Sequence, residues 1–181
     1  MFSSQSNWRA GVTYSAAGNP FVNLFKSVLH NVGMLMVGLV FGYVGTRLDA
    51  LFRLATFRSL VWVAVGSALL AIGFLIRVWA TWLFYEREMS VIVLRPQRSL
   101  LTTGPYRCSR NPLYLGILFI FLGAVLVFGS RCGLGLTTLR LVAVYVMIRR
   151  EERQLAATFG EEWQRYKNVT RRWIGWRSTS R

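Results

Sequence analysis

Between Lys26 and Arg47 lie twenty residues without a single charged side chain. A helix rises about 1.5 Å per residue, so this run reaches roughly 30 Å, the depth of a bilayer's hydrocarbon core. The pattern repeats along the chain. Ser59 to Ile76 gives eighteen more uncharged residues between Arg58 and Arg77, followed by an aromatic-rich extension through Tyr85 that suits a membrane interface. Asn111 to Ser130 is a third run, and Cys132 to Ile148 a fourth, interrupted only by Arg140. The chain is therefore expected to be an all-α integral membrane bundle of about four transmembrane helices, over residues 27–46, 59–76, 112–130 and 132–148. The Gly-rich junction Gly129–Gly133 closes the last two into an antiparallel hairpin. Residues 1–26 read as an N-terminal tail carrying Trp8 and Tyr14, and residues 27–181 as one domain ending in a helical segment, 149–181. The first run starts too late and is too long for a cleaved signal peptide, so it is expected to stay in the chain.

The charge balance decides between classes of partner. Lys and Arg number 22 and Asp and Glu 7, a formal net charge of +15, while 54% of residues are hydrophobic and 16% charged. A nucleic-acid binder is this basic but not this apolar, so nucleic acid is excluded as a partner. Seventeen basic residues fall in the N-terminal tail, the segment Arg77–Arg110 and the tail from Arg149 onward, against four in the two opposite loops. The positive-inside rule then places both termini in the cytoplasm, facing anionic lipid. Cys108 and Cys132 fall on opposite sides of the bilayer, so no disulfide is expected. His30 is the only histidine, and with no cysteine cluster a metal centre is not expected.

Chemistry-bearing residues collect in two segments. The loop Ser99–Gly116 is dense in turn formers and aromatics, and Asn111-Pro112 reads as a helix start. Arg110 then stands at a helix mouth, where free backbone N–H groups favour an anion. The second segment begins Arg149-Arg150-Glu151-Glu152. At about 100° per residue, both glutamates share the face of Leu155 and Phe159, the side expected to be covered. Covered carboxylates need a partner: a structural arginine such as Arg107 or Arg110, or a cationic ligand. Gly160 is expected to interrupt this helix.

Together the two segments resemble the integral membrane superfamily of isoprenylcysteine carboxyl methyltransferases and phospholipid methyltransferases. The resemblance is carried by Gly104, Tyr106, Arg110-Asn111-Pro112, Tyr114 and Gly116, then by Glu151, Glu152, Leu155, Phe159, Gly160, Trp163 and Tyr166, and by the closing Arg171-Arg172-Trp173-Ile174. It spans roughly residues 95–175, and Asn111 stands where the eukaryotic carboxyl enzymes have His. It implies S-adenosylmethionine as cofactor, held by Gly104, Tyr106, Arg110, Asn111, Pro112, Tyr114, Gly116, Glu151, Glu152, Trp163 and Tyr166. Arg110 and Glu152 are the implied catalytic residues. The glutamates would meet the cofactor's cationic groups, Arg110 its carboxylate, and the aromatic rings its adenine or sulfonium. The implied reaction is methyl transfer to a lipophilic or lipidated acceptor at the cytoplasmic face. A carboxylate acceptor needs no base; a phospholipid amine would need one of the glutamates as proton acceptor. Two other classes compete: a non-catalytic membrane module, and a sterol-reductase-like oxidoreductase, which would typically carry an Asp soon after Gly116. The glycines at 33, 38, 42 and 45 are expected to let helices approach closely, Arg140 to snorkel or line a cavity, and Trp173 and Trp176 to anchor at the interface.

Overall fold

The computed structural model describes residues 19–87, 89 and 99–175. The expectations for Trp8, Tyr14 and Trp176 lie outside these residues. Four helices form: α1 (Pro20–Leu51), α2 (Leu60–Glu86), α3 (Pro112–Phe128) and α4 (Arg131–Val169), with a 3-10 turn at Gly104–Arg107 before α3. The architecture is all-helical, and no strand occurs among the described residues. α1, α2 and α4 are long and apolar enough to cross a membrane, while α3 is a shorter apolar helix of 17 residues.

The start of each helix is written in its first residues. Asn19 accepts the Phe21 N–H at 3.0 Å with Pro20 in the first turn, Ser59 receives the Trp62 N–H, and α3 opens on Pro112 as expected. Gly129, at φ 67°, ends α3, and Ser130 next to it caps α4 by accepting the Gly133 N–H at 2.9 Å. A second cap comes from another helix. Asp49, fully buried near the end of α1, accepts the Arg131 and Cys132 N–H groups at 3.1 and 2.7 Å. It satisfies donors that the start of a helix leaves over, and its charge faces the positive end of the α4 dipole. Asp49→Ala is expected to cost about 1–2 kcal/mol, read as a lower unfolding midpoint in detergent.

α3 is the central element and packs against both α1 and α2. Ile120, Phe121, Ala124 and Val125 of α3 are essentially inaccessible. Backbone-to-backbone approach makes this possible: a Cβ on Gly66 would lie 2.6 Å from the Gly123 carbonyl oxygen, and one on Gly73 2.8 Å from that of Gly116. On α1, Gly38, Gly42 and Gly45 sit against Ile120, Ala124 with Phe128, and Ser130 with Gly133. Gly33 has nothing near its missing side chain, so the close-approach expectation fails at that position. Arg140 lays its guanidinium 3.8 Å over the ring of Phe121, and His30 is exposed on the outside of α1.

Two helices run beyond the spans expected for them. α2 does not end at Ile76 but continues to Glu86, with Arg77 buried inside it. The arginine does not stop the helix because its side chain is satisfied by other helices, through Asn31 Oδ1 and the Leu113 carbonyl. It therefore drops out of the loop charges counted for orientation. α4 runs past the expected span into the segment expected to be helical: one 39-residue helix carries the chain into the second motif, with its break at Gly160 as expected.

Candidate active site

The site lies at the end of the bundle where α2 finishes, α3 begins and the second half of α4 runs past. Gly104 has φ +59°, and a Cβ there would meet Leu83 Cδ1 at 2.8 Å, so this turn against α2 requires glycine. The turn buries Tyr106, whose carbonyl accepts the Tyr166 hydroxyl at 2.7 Å. Tyr166 reaches it because α4 is kinked: Gly160 adopts φ 48°, ψ −116°, and the chain beyond turns Trp163 and Tyr166 inward, 2% and 6% exposed. A Cβ at Gly160 would touch nothing. Gly160→Ala is therefore a test of backbone strain alone: it is expected to cost about 1–3 kcal/mol, seen as a lower melting temperature and a red-shifted tryptophan emission as Trp163 loosens.

Residues after α4 fold back as a strap over the loop before α3. The Arg110 N–H donates to the Arg171 carbonyl at 3.0 Å and the Gly175 N–H to that of Cys108 at 2.9 Å. The Arg172 carbonyl accepts from Ser109 Oγ and from Asn111 Nδ2, both at 3.2 Å. Trp173 packs on the cluster of Tyr114, Val144 and Ile148. The strap delivers the Arg172 side chain to Glu152: Nη2 lies 2.6 Å from Oε2 and Nε 3.1 Å from Oε1. Arg110 Nη2 approaches the same carboxylate at 3.3 Å, and its guanidinium sits 5.6 Å from the Trp163 ring centre. Glu152 is thus shared between two arginines, with its side chain only 10% exposed.

Glu151 has a different environment. It lines a cavity that opens to solvent, together with Tyr106, Arg110, Asn111, Tyr114, Trp163 and Tyr166. Phe84, Leu100, Leu101, Leu113 and Leu155 complete an apolar wall. The Tyr114 hydroxyl faces the Glu151 carboxylate, yet neither Tyr114 Oη nor Glu151 Oε2 completes a hydrogen bond of ordinary geometry among the described residues. Burial pushes the Glu151 carboxyl above its usual range; the Tyr114 hydroxyl opposes this and the neighbouring Glu152 charge adds to it. A half-buried carboxylate with one covered, unbonded oxygen among aromatic faces suits an organic cation, and Arg110 across the same cavity suits an anionic group.

The structure thus divides the residues expected from sequence. Seven of them line the cavity, while Gly104, Pro112, Gly116 and Glu152 stand behind it. Gly104 makes the turn and Pro112 starts α3. Gly116 leaves room for Arg77, whose Cγ would lie 2.4 Å from a Cβ there. Of the arginines considered as partners for the glutamates, Arg110 reaches Glu152 and Arg107 is exposed. Sequence reasoning missed Arg172 as a partner and Arg77 as a buried charge. Arg172 was visible only as part of a basic-aromatic stretch that reads equally well as an interfacial anchor.

A family model described as phospholipid methyltransferase matches residues 61–162, from the first turn of α2 to just past the Gly160 kink. An uncharacterized protein of Haemophilus influenzae is 41% identical over 63 residues, covering 34% of this chain and 100% of that relative. No solved structure gives a significant match.

Proposed function

The chain belongs to the phospholipid methyltransferase family, and on that premise we propose that it transfers a methyl group from S-adenosylmethionine to the carboxylate of a lipophilic acceptor at the membrane surface. The observation that carries the reading is Glu151, a half-buried carboxylate whose covered Oε2 completes no hydrogen bond, on a cavity wall shared with Arg110 and the buried rings of Tyr106, Tyr114, Trp163 and Tyr166. When bound, S-adenosylmethionine supplies a methyl group on a cationic sulfur, which leaves with the C–S bonding electrons as the acceptor oxygen attacks carbon. The cavity residues complement that chemistry. Glu151 offers the negative charge that a sulfonium or ammonium requires. Arg110, held in orientation by Glu152, offers two-pronged hydrogen bonding to a carboxylate. Tyr106 and Trp163 offer ring faces, and Leu113 and Phe84 an apolar surface for a hydrocarbon chain. Such catalysis is mainly positioning and electrostatic, and it asks for no proton transfer when the acceptor is already an anion. The basic excess at this end of the bundle supports a cytoplasmic orientation of the site.

One observation favours a second reading, N-methylation of a phospholipid amine. The raised affinity of Glu151 for a proton suits it to accept one from an ammonium before attack. Purified protein in nanodiscs, given cofactor with a labelled methyl group and either an S-prenyl thioether carboxylate or phosphatidylethanolamine, separates the two. Label released as methanol by alkali marks an ester and is the expected result; alkali-stable label in the phospholipid marks the amine reaction. A folded protein that neither transfers label nor binds S-adenosylhomocysteine overturns both.

A further inference from the structure

Arg77 is the most deeply buried cation outside the site among the described residues, 3% exposed and inside a helix that carries no other charge from Leu60 to Tyr85. No acid pairs with it among the described residues. Its Nε donates to Asn31 Oδ1 at 2.8 Å and its Nη1 to the Leu113 carbonyl at 3.1 Å. Asn31 is itself fixed, donating to Thr81 Oγ1 at 2.7 Å and to the Ser27 carbonyl at 2.8 Å, while Ser27 and Thr81 share a hydrogen bond. Every polar partner in this network is neutral, so the guanidinium is held in place with its charge uncompensated.

Such a charge is costly in a membrane interior, and an intramembrane cation is generally retained for what its field does. Here the field reaches the cavity wall. Leu113, whose carbonyl takes the Nη1 hydrogen bond, is part of the cavity wall, and the ionisable groups that couple to Arg77 are Tyr106, also on that wall, and the exposed His30. Gly116 of the first motif makes the placement possible, since any side chain there would occupy the position of the Arg77 stem.

We propose that Arg77 is a specificity-determining residue: a fixed positive charge one residue behind the cavity wall that, with Arg110, makes the site prefer an acceptor with an anionic head over one with a cationic head. Arg77 does not touch the acceptor; it acts through the low-dielectric wall. The proposal deepens the methyl-transfer reading, from which its assignment of the cavity's occupant comes, but its test needs no turnover.

The test compares binding of octanoate and octylamine by calorimetry to the full chain in neutral-lipid nanodiscs, corrected for empty discs, with S-adenosylhomocysteine affinity measured separately. Octanoate is expected to bind the wild type more tightly than octylamine. Arg77→Met is expected to weaken octanoate by roughly tenfold, the scale of one charge acting at short range through protein, and Arg77→Lys to keep the preference. Asn31→Asp decides the matter if Arg77→Met does not fold. It is nearly isosteric and puts a carboxylate within hydrogen-bond reach of Arg77, cancelling the field at the cost of the two hydrogen bonds that the Asn31 amide donates to the Ser27 carbonyl and Thr81 Oγ1, and it is expected to lose the preference as well. A wild type without preference, or an Asn31→Asp protein that retains it, overturns the proposal. Absent S-adenosylhomocysteine binding beside an intact octanoate preference overturns the cofactor reading instead.

Discussion

Glu152→Ala is expected to destabilise the protein by about 3–5 kcal/mol, because it removes the carboxylate that separates two guanidinium groups in a covered site. Arg110 is 6% and Arg172 23% exposed in their side chains, so water reaches the second only in part. The loss is larger than the pair itself is worth, since it removes the carboxylate that two neighbouring cations share. Cofactor binding should disappear with it, because the same carboxylate orients Arg110 and ties the strap to α4. Thermal unfolding in detergent measures the loss. The double variant Glu152→Ala, Arg172→Met should recover part of the stability by removing one of the two cations, and recovery of none would show that the clamp is not what holds the strap.

Glu151→Gln should behave in the opposite way. The fold is expected to survive, because the replacement has nearly the same shape and removes a charge that burial disfavours. Cofactor binding and turnover should fall on the order of a hundredfold or more, the usual scale for losing one preorganised electrostatic contact to a developing or departing charge. The pH dependence follows from the direction of the shift. A carboxyl whose proton affinity is raised in the folded state contributes most to stability below its unfolded pKa, and that contribution is lost as pH rises through the folded value. The ligand-free protein should therefore become less stable across that window, whereas affinity for S-adenosylmethionine should rise across it, since only the carboxylate attracts a sulfonium. In Glu151→Gln both slopes should vanish. A wild-type affinity that is flat through this range, or one that falls as pH rises, would remove Glu151 from the cofactor's cationic side.

The helices were legible in the sequence because a bilayer imposes its own measure: long uncharged runs have few other uses. The reading failed where a charge was mistaken for an end. Arg77 looked like the boundary of the second span, since a single sequence does not reveal that Asn31, forty-six positions away, and a carbonyl of α3 will satisfy it. The second motif was partly legible. Helical angles put Glu152 on a covered face, with Glu151 half-buried beside it, and a glycine inside a helical pattern marked the kink. What angles on one helix do not show is which carboxylate meets arginine and which meets open space. That is settled by the strap, whose pairing with residues 108–111 joins segments about sixty positions apart through backbone groups that every sequence possesses.

The shortness of α3 has a consequence for the way into the site. Its 17 residues extend about 25 Å, less than the roughly 30 Å of an ordinary hydrocarbon core. Its neighbours, longer at the site end, do not shorten to match. No residue of α3 is exposed, so its neighbours shield it from lipid and the shortfall falls inside the bundle, at the Pro112 end beside the cavity. A lipid-borne acceptor would then reach the site by moving within its own leaflet, its tail still in oil, and the thickness of the host membrane would set how far its head must travel.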